Sequence, residues 1–157
     1  MKISWSPLYT VVLALWVGGM SIFTFLVAPA IFKSYGRDMA SDIVGHIFPG
    51  YFLYDLILAA AALALFFLIG VERKAFASRL SLVLLVAALI VNAFIVFKLY
   101  PEAAKAKLEV TSFERESPDS PARRKFTRLH GLSATLNFFL LVDGITLLIA
   151  VPEIKNR

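Results

Sequence analysis

Four long apolar segments constrain the fold of this chain more than any other feature of its sequence. They cover residues 8–32, 47–69, 78–100 and 129–151. Each is close to the ~20 residues that a helix needs to cross the hydrocarbon core of a bilayer. Because a backbone in hydrocarbon must satisfy its own hydrogen bonds, we predict helices rather than strands. The predicted fold class is all-α: one integral membrane four-helix bundle over residues 1–157, antiparallel in up-down-up-down order.

The composition agrees with a membrane protein. Hydrophobic residues make up 59% of the chain and charged residues only 17%, whereas soluble domains carry ~25% charged residues. The net charge of +5 suits a membrane surface, so we expect the lipid bilayer as a partner and no nucleic acid. The chain has no cysteine, which excludes disulfides and thiolate chemistry. The first segment exceeds the ~7–15 apolar residues of a signal peptide, so we expect it to be retained.

The connections between the segments are short except the last. Asp38 is placed to cap helix 2, and Pro49 should kink that helix because proline removes a backbone hydrogen bond. After a possible kink at Pro101, the stretch "EAAKAKLEVTSFERE" is helix-prone. Ser120 before Pro121 is typical of an N-cap followed by proline at the first helical position. We therefore predict a long helical hairpin extension between helices 3 and 4.

The distribution of Lys and Arg predicts the orientation of the bundle. With four spans, both termini and the turn after Gly70 lie on one side, and the first loop and the hairpin on the other. The termini side carries Lys2, Arg73, Lys74, Arg79, Lys155 and Arg157; the hairpin side carries Lys33, Arg37, Lys98, Lys105, Lys107, Arg115, Arg123, Arg124, Lys125 and Arg128. The positive-inside rule predicts a cytoplasmic hairpin. We expect a multi-pass protein of a bacterial inner or plasma membrane.

Polar residues inside the spans are the candidates for a site. At ~100° per residue, His130, Ser133 and Asn137 fall on one stripe of helix 4. Asn92 lies at a similar depth on helix 3, so we predict an Asn92–Asn137 hydrogen bond. Both amides are ligand-binding candidates, although a purely interhelical role is the simpler account.

The two histidines, His46 and His130, begin helices on the same side and should lie at one membrane level. Two imidazoles can ligate haem iron or begin a transition-metal site. Hydrogen bonding or packing is the competing interpretation, because the sequence has no HxxxH or HExxH spacing.

Two intramembrane carboxyls, Asp55 and Asp143, have no Lys or Arg at their depth. An ionisable residue inside a membrane is a functional hypothesis by default. A structural role, with the carboxyl bonded to a neighbouring carbonyl or hydroxyl, remains the alternative.

Small residues recur along helix 1 at helical spacing, interleaved with Phe25 and Phe32. Small residues permit close approach of membrane helices, so this stripe indicates packing rather than a ligand groove. The predicted packing or kink positions in helices 1 and 2 are Gly18, Ser21, Pro29, Gly45 and Pro49.

Three stretches together resemble a known family: "GGMSIFTFLVAPAIFK", "ASDIVGHIFPGYFLYD" and "LHGLSATLNFFLLVDGITLL". They look like the transmembrane protein 205-like family (domain of unknown function 4149), and the likeness extends over essentially the whole chain. The resemblance implies a four-span membrane protein without an established activity. It points to Pro29, Phe32, Gly45, Phe48, Pro49, His130, Ser133 and Asn137. In architecture alone, the chain is also similar to copper-resistance-protein-D-like and haem-associated four-helix membrane proteins.

Three function classes follow. The first is a membrane protein that binds a small ligand, haem or a metal ion in a pocket near the hairpin side. The second is a structural or assembly subunit, acting as a homo-oligomer or with a membrane-protein partner. The third is a haem-dependent membrane oxidoreductase. No nucleophile–base–acid arrangement is evident, so we lean away from an enzyme and name no catalytic residue.

Overall fold

A computed structural model describes residues 5–69 and 76–155, with side chains up to Val151. Its four long helices are α1 (Ser6–Ser34), α2 (Arg37–Leu68), α3 (Phe76–Leu108) and α4 (Pro121–Lys155). All four are long and apolar enough to cross a membrane, and the two described ranges contain no strand. The predicted all-α bundle of four spans is confirmed, and it fits a multi-pass membrane protein. Gly70 and the charges of Lys2, Arg73, Lys74, Lys155 and Arg157 lie outside the residues whose side chains are described.

Two prolines are accommodated by π-helical turns, which keep α1 and α3 continuous. Phe23–Val27 precedes Pro29, and Ile95–Leu99 precedes Pro101. Proline has no N–H, and its ring clashes with the carbonyl four residues earlier. A wider π turn before the proline relieves this crowding without ending the helix. Pro49, by contrast, lies within the uninterrupted α-helix α2.

The hairpin extension is only partly helical. Helix α3 continues past Pro101 to Leu108, and α4 begins at Pro121 as expected. The Oγ of Ser120 accepts a hydrogen bond from the backbone N–H of Arg123 at 3.2 Å, which confirms the predicted N-cap. Residues 109–120 form turns, so the expectation of helix beyond Leu108 was wrong.

The helices pack in chain order around one core: α1 contacts α2 and α4, and α3 contacts the same two helices. One face of α1 supplies much of this core, with Trp16 fully buried at its centre. The largest fully buried apolar side chains are Tyr9, Leu13, Trp16, Met20, Leu85, Ile95, Leu99 and Leu147.

Large apolar side chains also point outwards from every helix. Phe25 is 64% exposed, Phe97 73% and Ile149 72%. In water each such side chain would forgo ~1.5–3 kcal/mol of burial free energy, whereas hydrocarbon imposes no such cost. The outer surface therefore suits lipid.

Of the two adjacent glycines of α1, Gly19 packs closely against α2 and Gly18 does not. A Cβ on Gly19 would lie 2.6 Å from the ring of Tyr54, whose hydroxyl donates to the carbonyl of Leu15 at 2.6 Å. A Cβ on Gly18 would meet nothing within 4 Å. The predicted packing role of Gly18 was therefore wrong, because the stripe that includes the exposed Phe25 turns away from the core.

We predict that Gly19→Ala destabilises the bundle whereas Gly18→Ala does not. The new methyl at position 19 must displace Tyr54, and overpacking of this kind costs ~1–3 kcal/mol. At position 18 the same change gains helix propensity, ~1 kcal/mol at most. Thermal unfolding in detergent measures both. Equal unfolding midpoints for the two variants would contradict the assigned contact.

The up-down-up-down order stays a prediction, which two ring contacts between α1 and α2 support. Phe23 lies 5.8 Å from Phe48 between ring centroids, and Tyr9 lies 6.4 Å from Phe66. We therefore expect both termini on one membrane face, opposite residues 109–120. Because the chain has no cysteine, Lys2→Cys and Ser117→Cys can be labelled singly with an impermeant maleimide. Labelling from the same face would refute this topology.

Candidate functional site

A cavity of about 440 Å³ opens at the hairpin end of the bundle. Its walls come from Phe32 in the last turn of α1, the first half of α2, the last turns of α3, the first turns of α4 and Phe113 of the connecting loop. Its volume is within the ~300–1,000 Å³ usual for small-molecule sites. The cavity exists because α3 and α4 extend beyond their most apolar segments, and the loop that connects them covers the space between them.

The inner wall of this cavity is aromatic. The rings of Phe48 and Phe52 stack with centroids 5.1 Å apart, and Phe52 lies 5.7 Å from Tyr100. On the α4 side, Phe126 stacks on His130 at 5.6 Å with only 10° between the ring planes. These contacts fix a rigid apolar surface without satisfying any polar group.

Three cationic side chains line the same cavity: Arg37, Lys107 and Arg123. The Nζ of Lys107 lies 2.8 Å from Asp42 and also donates to the carbonyl of Ser41. Arg123 lies over the ring of Phe113, 5.8 Å from its centroid. Within the described residues, Arg37 makes no hydrogen bond or ion pair through its side chain. At least one positive charge is therefore available to a ligand.

Asp38 holds the connecting loop over the cavity. Its carboxylate accepts hydrogen bonds from the hydroxyl of Ser112 at 2.6 Å and from the backbone N–H of Phe113. Asp38 was expected to cap α2, but the residue at the N-cap is Gly36 and no side chain caps this helix. The expectation was wrong because the carboxylate is used by the loop instead.

Within the loop, Glu116 closes the turn that leads into α4. Its carboxylate accepts hydrogen bonds from the hydroxyl of Ser120 and from the backbone N–H of Thr111. The hydrogen bond from Ser120, followed by that from Thr111, lowers the pKa of Glu116 below its ordinary value of 4.5. The ionised carboxylate and its hydrogen bonds therefore persist at neutral pH, and they are lost only as the pH falls through this lowered pKa.

Both predicted histidines line the cavity. A ring nitrogen of His46 lies 2.7 Å from the carbonyl oxygen of Asp42. The ring of His130 lies between Phe126 and Phe48 and makes no hydrogen bond within the described residues. No group of three or more His, Asp or Glu that could hold a metal ion occurs in the described parts of the chain. Ser133 and Gly45 also line the cavity.

The predicted bond between Asn92 and Asn137 is not formed. Asn137 accepts from the hydroxyl of Tyr51 at 2.6 Å and donates to that of Thr24 at 3.1 Å. Asn92 instead donates to the carbonyl of Ala88 in its own helix at 2.9 Å. The pairing was wrong because depth alone does not distinguish α3 from the other neighbours of α4. Asn137 thus joins α1, α2 and α4 beneath the cavity.

The two acidic candidates lie deeper in the bundle. Asp55 is 1% exposed and lies near the hydroxyl of Tyr51. That hydroxyl donates its hydrogen bond to Asn137, so neither carboxyl oxygen of Asp55 accepts a hydrogen bond among the described residues. One oxygen of Asp143 is likewise buried and unpaired within that part of the chain. Neither residue lines the cavity.

Several important residues were not singled out from the sequence. Arg37, Lys107 and Arg123 were noticed only as charges that orient the bundle. Tyr51 and Thr24 carried no signal, because an isolated tyrosine or threonine in an apolar segment is unremarkable until its neighbours are known. Arg37, nine residues before "HIFPGYF", and Arg123, three residues before "FTRLH", could have indicated the site.

These features fit a polytopic helical membrane protein with a cavity at the hairpin end of the bundle. The family described as "Domain of unknown function (DUF4149)" matches residues 11–112, and the chain belongs to that family. No curated protein and no solved structure matched the chain.

The observed hydrogen bonds predict the energetic coupling of Asn137. Tyr51→Phe and Asn137→Leu should each lower the free energy of unfolding. The double variant should lose ~0.6–2 kcal/mol less than the sum of the two single losses, because both substitutions remove the same Tyr51–Asn137 hydrogen bond. Asn92→Leu is the matched control, and its loss should add to that of Asn137→Leu within ~0.5 kcal/mol. Unfolding in detergent gives the free energies. Coupling to Asn92 but not to Tyr51 would contradict the structure.

Proposed function

We propose that this protein binds an amphipathic anion, an elongated apolar molecule with a carboxylate or phosphate head group, in the cavity at the hairpin end. One observation carries the proposal: a wall of stacked aromatic rings and three cationic side chains line the same space. Pockets of this kind take the apolar body by burial and orient the ligand through a few polar groups.

The positions of the charges support an anionic head group. Lys107 is already compensated by Asp42 at 2.8 Å, and Arg123 is engaged with Phe113 and the loop. Arg37 has no such partner in the described residues. A guanidinium binds a carboxylate or phosphate through paired hydrogen bonds, so Arg37 is the residue we assign to the head group.

The aromatic rings support an apolar body. Phe48, Phe52 and Phe126 line the cavity, and each stacks on a neighbouring ring. A lipid-derived chain can reach this wall directly from the membrane, since the cavity lies where the apolar segments end. We further propose that this end faces the cytoplasm, in agreement with the excess of Lys and Arg.

Binding can be measured with a dansyl-labelled fatty acid and the purified protein in detergent. We expect fluorescence enhancement that saturates, a loss of at least ~10-fold in affinity (~1.4 kcal/mol) for Arg37→Ala, and weaker binding when Ala104→Trp fills the cavity. Lys33→Ala is the matched control, because Lys33 lies near this end of the bundle but does not line the cavity. It should bind as the parent protein does.

The dansyl-labelled alcohol with the same chain tests the head group. It should bind more weakly to the parent protein and be indifferent to Arg37→Ala. Equal binding of acid and alcohol, or equal losses in Arg37→Ala and Lys33→Ala, would overturn the proposal.

A haem- or metal-binding function is the second candidate, because both histidines line one cavity. An absorption spectrum and elemental analysis of the purified protein decide it. A haem band or stoichiometric metal that is lost in His130→Ala would replace the anion proposal and reopen the oxidoreductase hypothesis. If neither a ligand nor a metal binds, the structural or assembly role is the interpretation that stands.

A further inference from the structure

The interior of the bundle contains polar atoms that no described residue satisfies. They are both carboxyl oxygens of Asp55, one of Asp143, the hydroxyls of Tyr9 and Ser81, and the indole N–H of Trp16. Asp55, Tyr9, Ser81 and Trp16 are each at most 1% exposed. Buried polar atoms in native proteins are almost always hydrogen-bonded, to protein or to internal water. A set of this size in one small bundle indicates a hydrated interior.

The polar groups follow one another in depth from the cavity inwards. Ser133 lines the cavity, and Asn137 lies one helical turn deeper on α4, bonded to Tyr51 at 2.6 Å. Asp55 lies one turn beyond Tyr51 on α2. Asp143 is ~9 Å beyond Asn137 along α4. Steps of one or two turns are distances that a few water molecules bridge.

The far end of the series lies near the start of α1. The carboxyl of Asp143 is close enough to Tyr9 for an electrostatic interaction. Tyr9 belongs to the second turn of α1, whereas Thr24, which bonds Asn137, lies four turns further along. The series from Ser133 to Tyr9 therefore extends through much of the bundle.

In the described part of the chain, no cationic side chain pairs with either carboxyl. Among the described residues, the titratable groups that face Asp55 are Tyr51 and Tyr54 on its own helix, and the one that faces Asp143 is Tyr9 on α1. Carboxyls in such surroundings are typical of proton relays in membrane proteins.

We propose that these side chains line a hydrated proton path, in which Asp55 and Asp143 accept and release protons between the cavity and the opposite end of the bundle. Each transfer breaks one O–H bond and forms another, between a carboxyl and a water molecule, so that no oxidant or reductant is needed. The path does not depend on a ligand in the cavity.

The test uses the full chain in proteoliposomes that enclose a pH-sensitive dye. A potassium gradient with valinomycin sets the membrane potential, and proton uptake is followed by fluorescence. We expect uptake several-fold faster than in protein-free vesicles, and a loss of most of this excess in Asp55→Asn and in Asp143→Asn. Asp119→Asn is the matched control, since this exposed loop carboxylate pairs with Arg124 outside the polar interior, and it should conduct as the parent protein does.

Folding of each variant is checked by size-exclusion chromatography and helix content, so that misfolding is not mistaken for the loss of proton uptake. If Asp55→Asn fails to fold, Asp143→Asn decides. Uptake by the parent protein that equals uptake by protein-free vesicles overturns the proposal, as does full uptake by either folded variant.

Discussion

Hydrocarbon offers no hydrogen-bond partners, and this constraint explains most of the structure. The backbone satisfies itself by forming four long helices, and where Pro29 and Pro101 remove a donor, a π-helical turn just before the proline keeps each helix continuous. The same constraint turns large apolar side chains outwards and gathers the polar ones inside, where Asn137 binds Tyr51 and Thr24. One requirement thus determines the secondary structure, the outer surface and the position of the polar groups.

The cavity arises where that constraint ends. Beyond their apolar segments α3 and α4 continue as helices, and the turns between them are held by Asp38 and Glu116. At this level Arg37 and Lys107 line the same space as the aromatic rings, a position that suits long basic residues, which combine an apolar stem with a charged head. A space lined by both aromatic rings and cationic side chains is a consequence of this boundary, and it favours a ligand with an apolar part and an anionic part.

The sequence was sufficient to predict features that depend on position along a single helix. It was insufficient to predict those that depend on how each helix is rotated about its axis relative to its neighbours. Lengths and apolar runs predicted four helices, and spacing placed His130 and Ser133 on one stripe, which lines the cavity. Depth suggested Asn92 as the partner of Asn137, yet Thr24 and Tyr51 lie at that depth too, and only packing selects among them. Gly18 and Gly19 differ by ~100° of rotation, which decides which of them meets Tyr54. In the loop, the contacts of Asp38 overrode local helix propensity.

Asn137 connects the two regions to which we assign functions. It lies one turn below Ser133 in the cavity wall, and its amide fixes both Thr24 on α1 and Tyr51 on α2. The two hydrogen bonds have ordinary lengths of 2.6 Å and 3.1 Å. A movement of α4 away from α1 and α2 that opens the cavity must therefore lengthen these bonds or move the other two helices with it. Tyr51 is one turn from Asp55, so such a movement also changes the surroundings of the buried carboxyl. The three-helix bond at Asn137 therefore couples the geometry of the cavity to that of the polar interior.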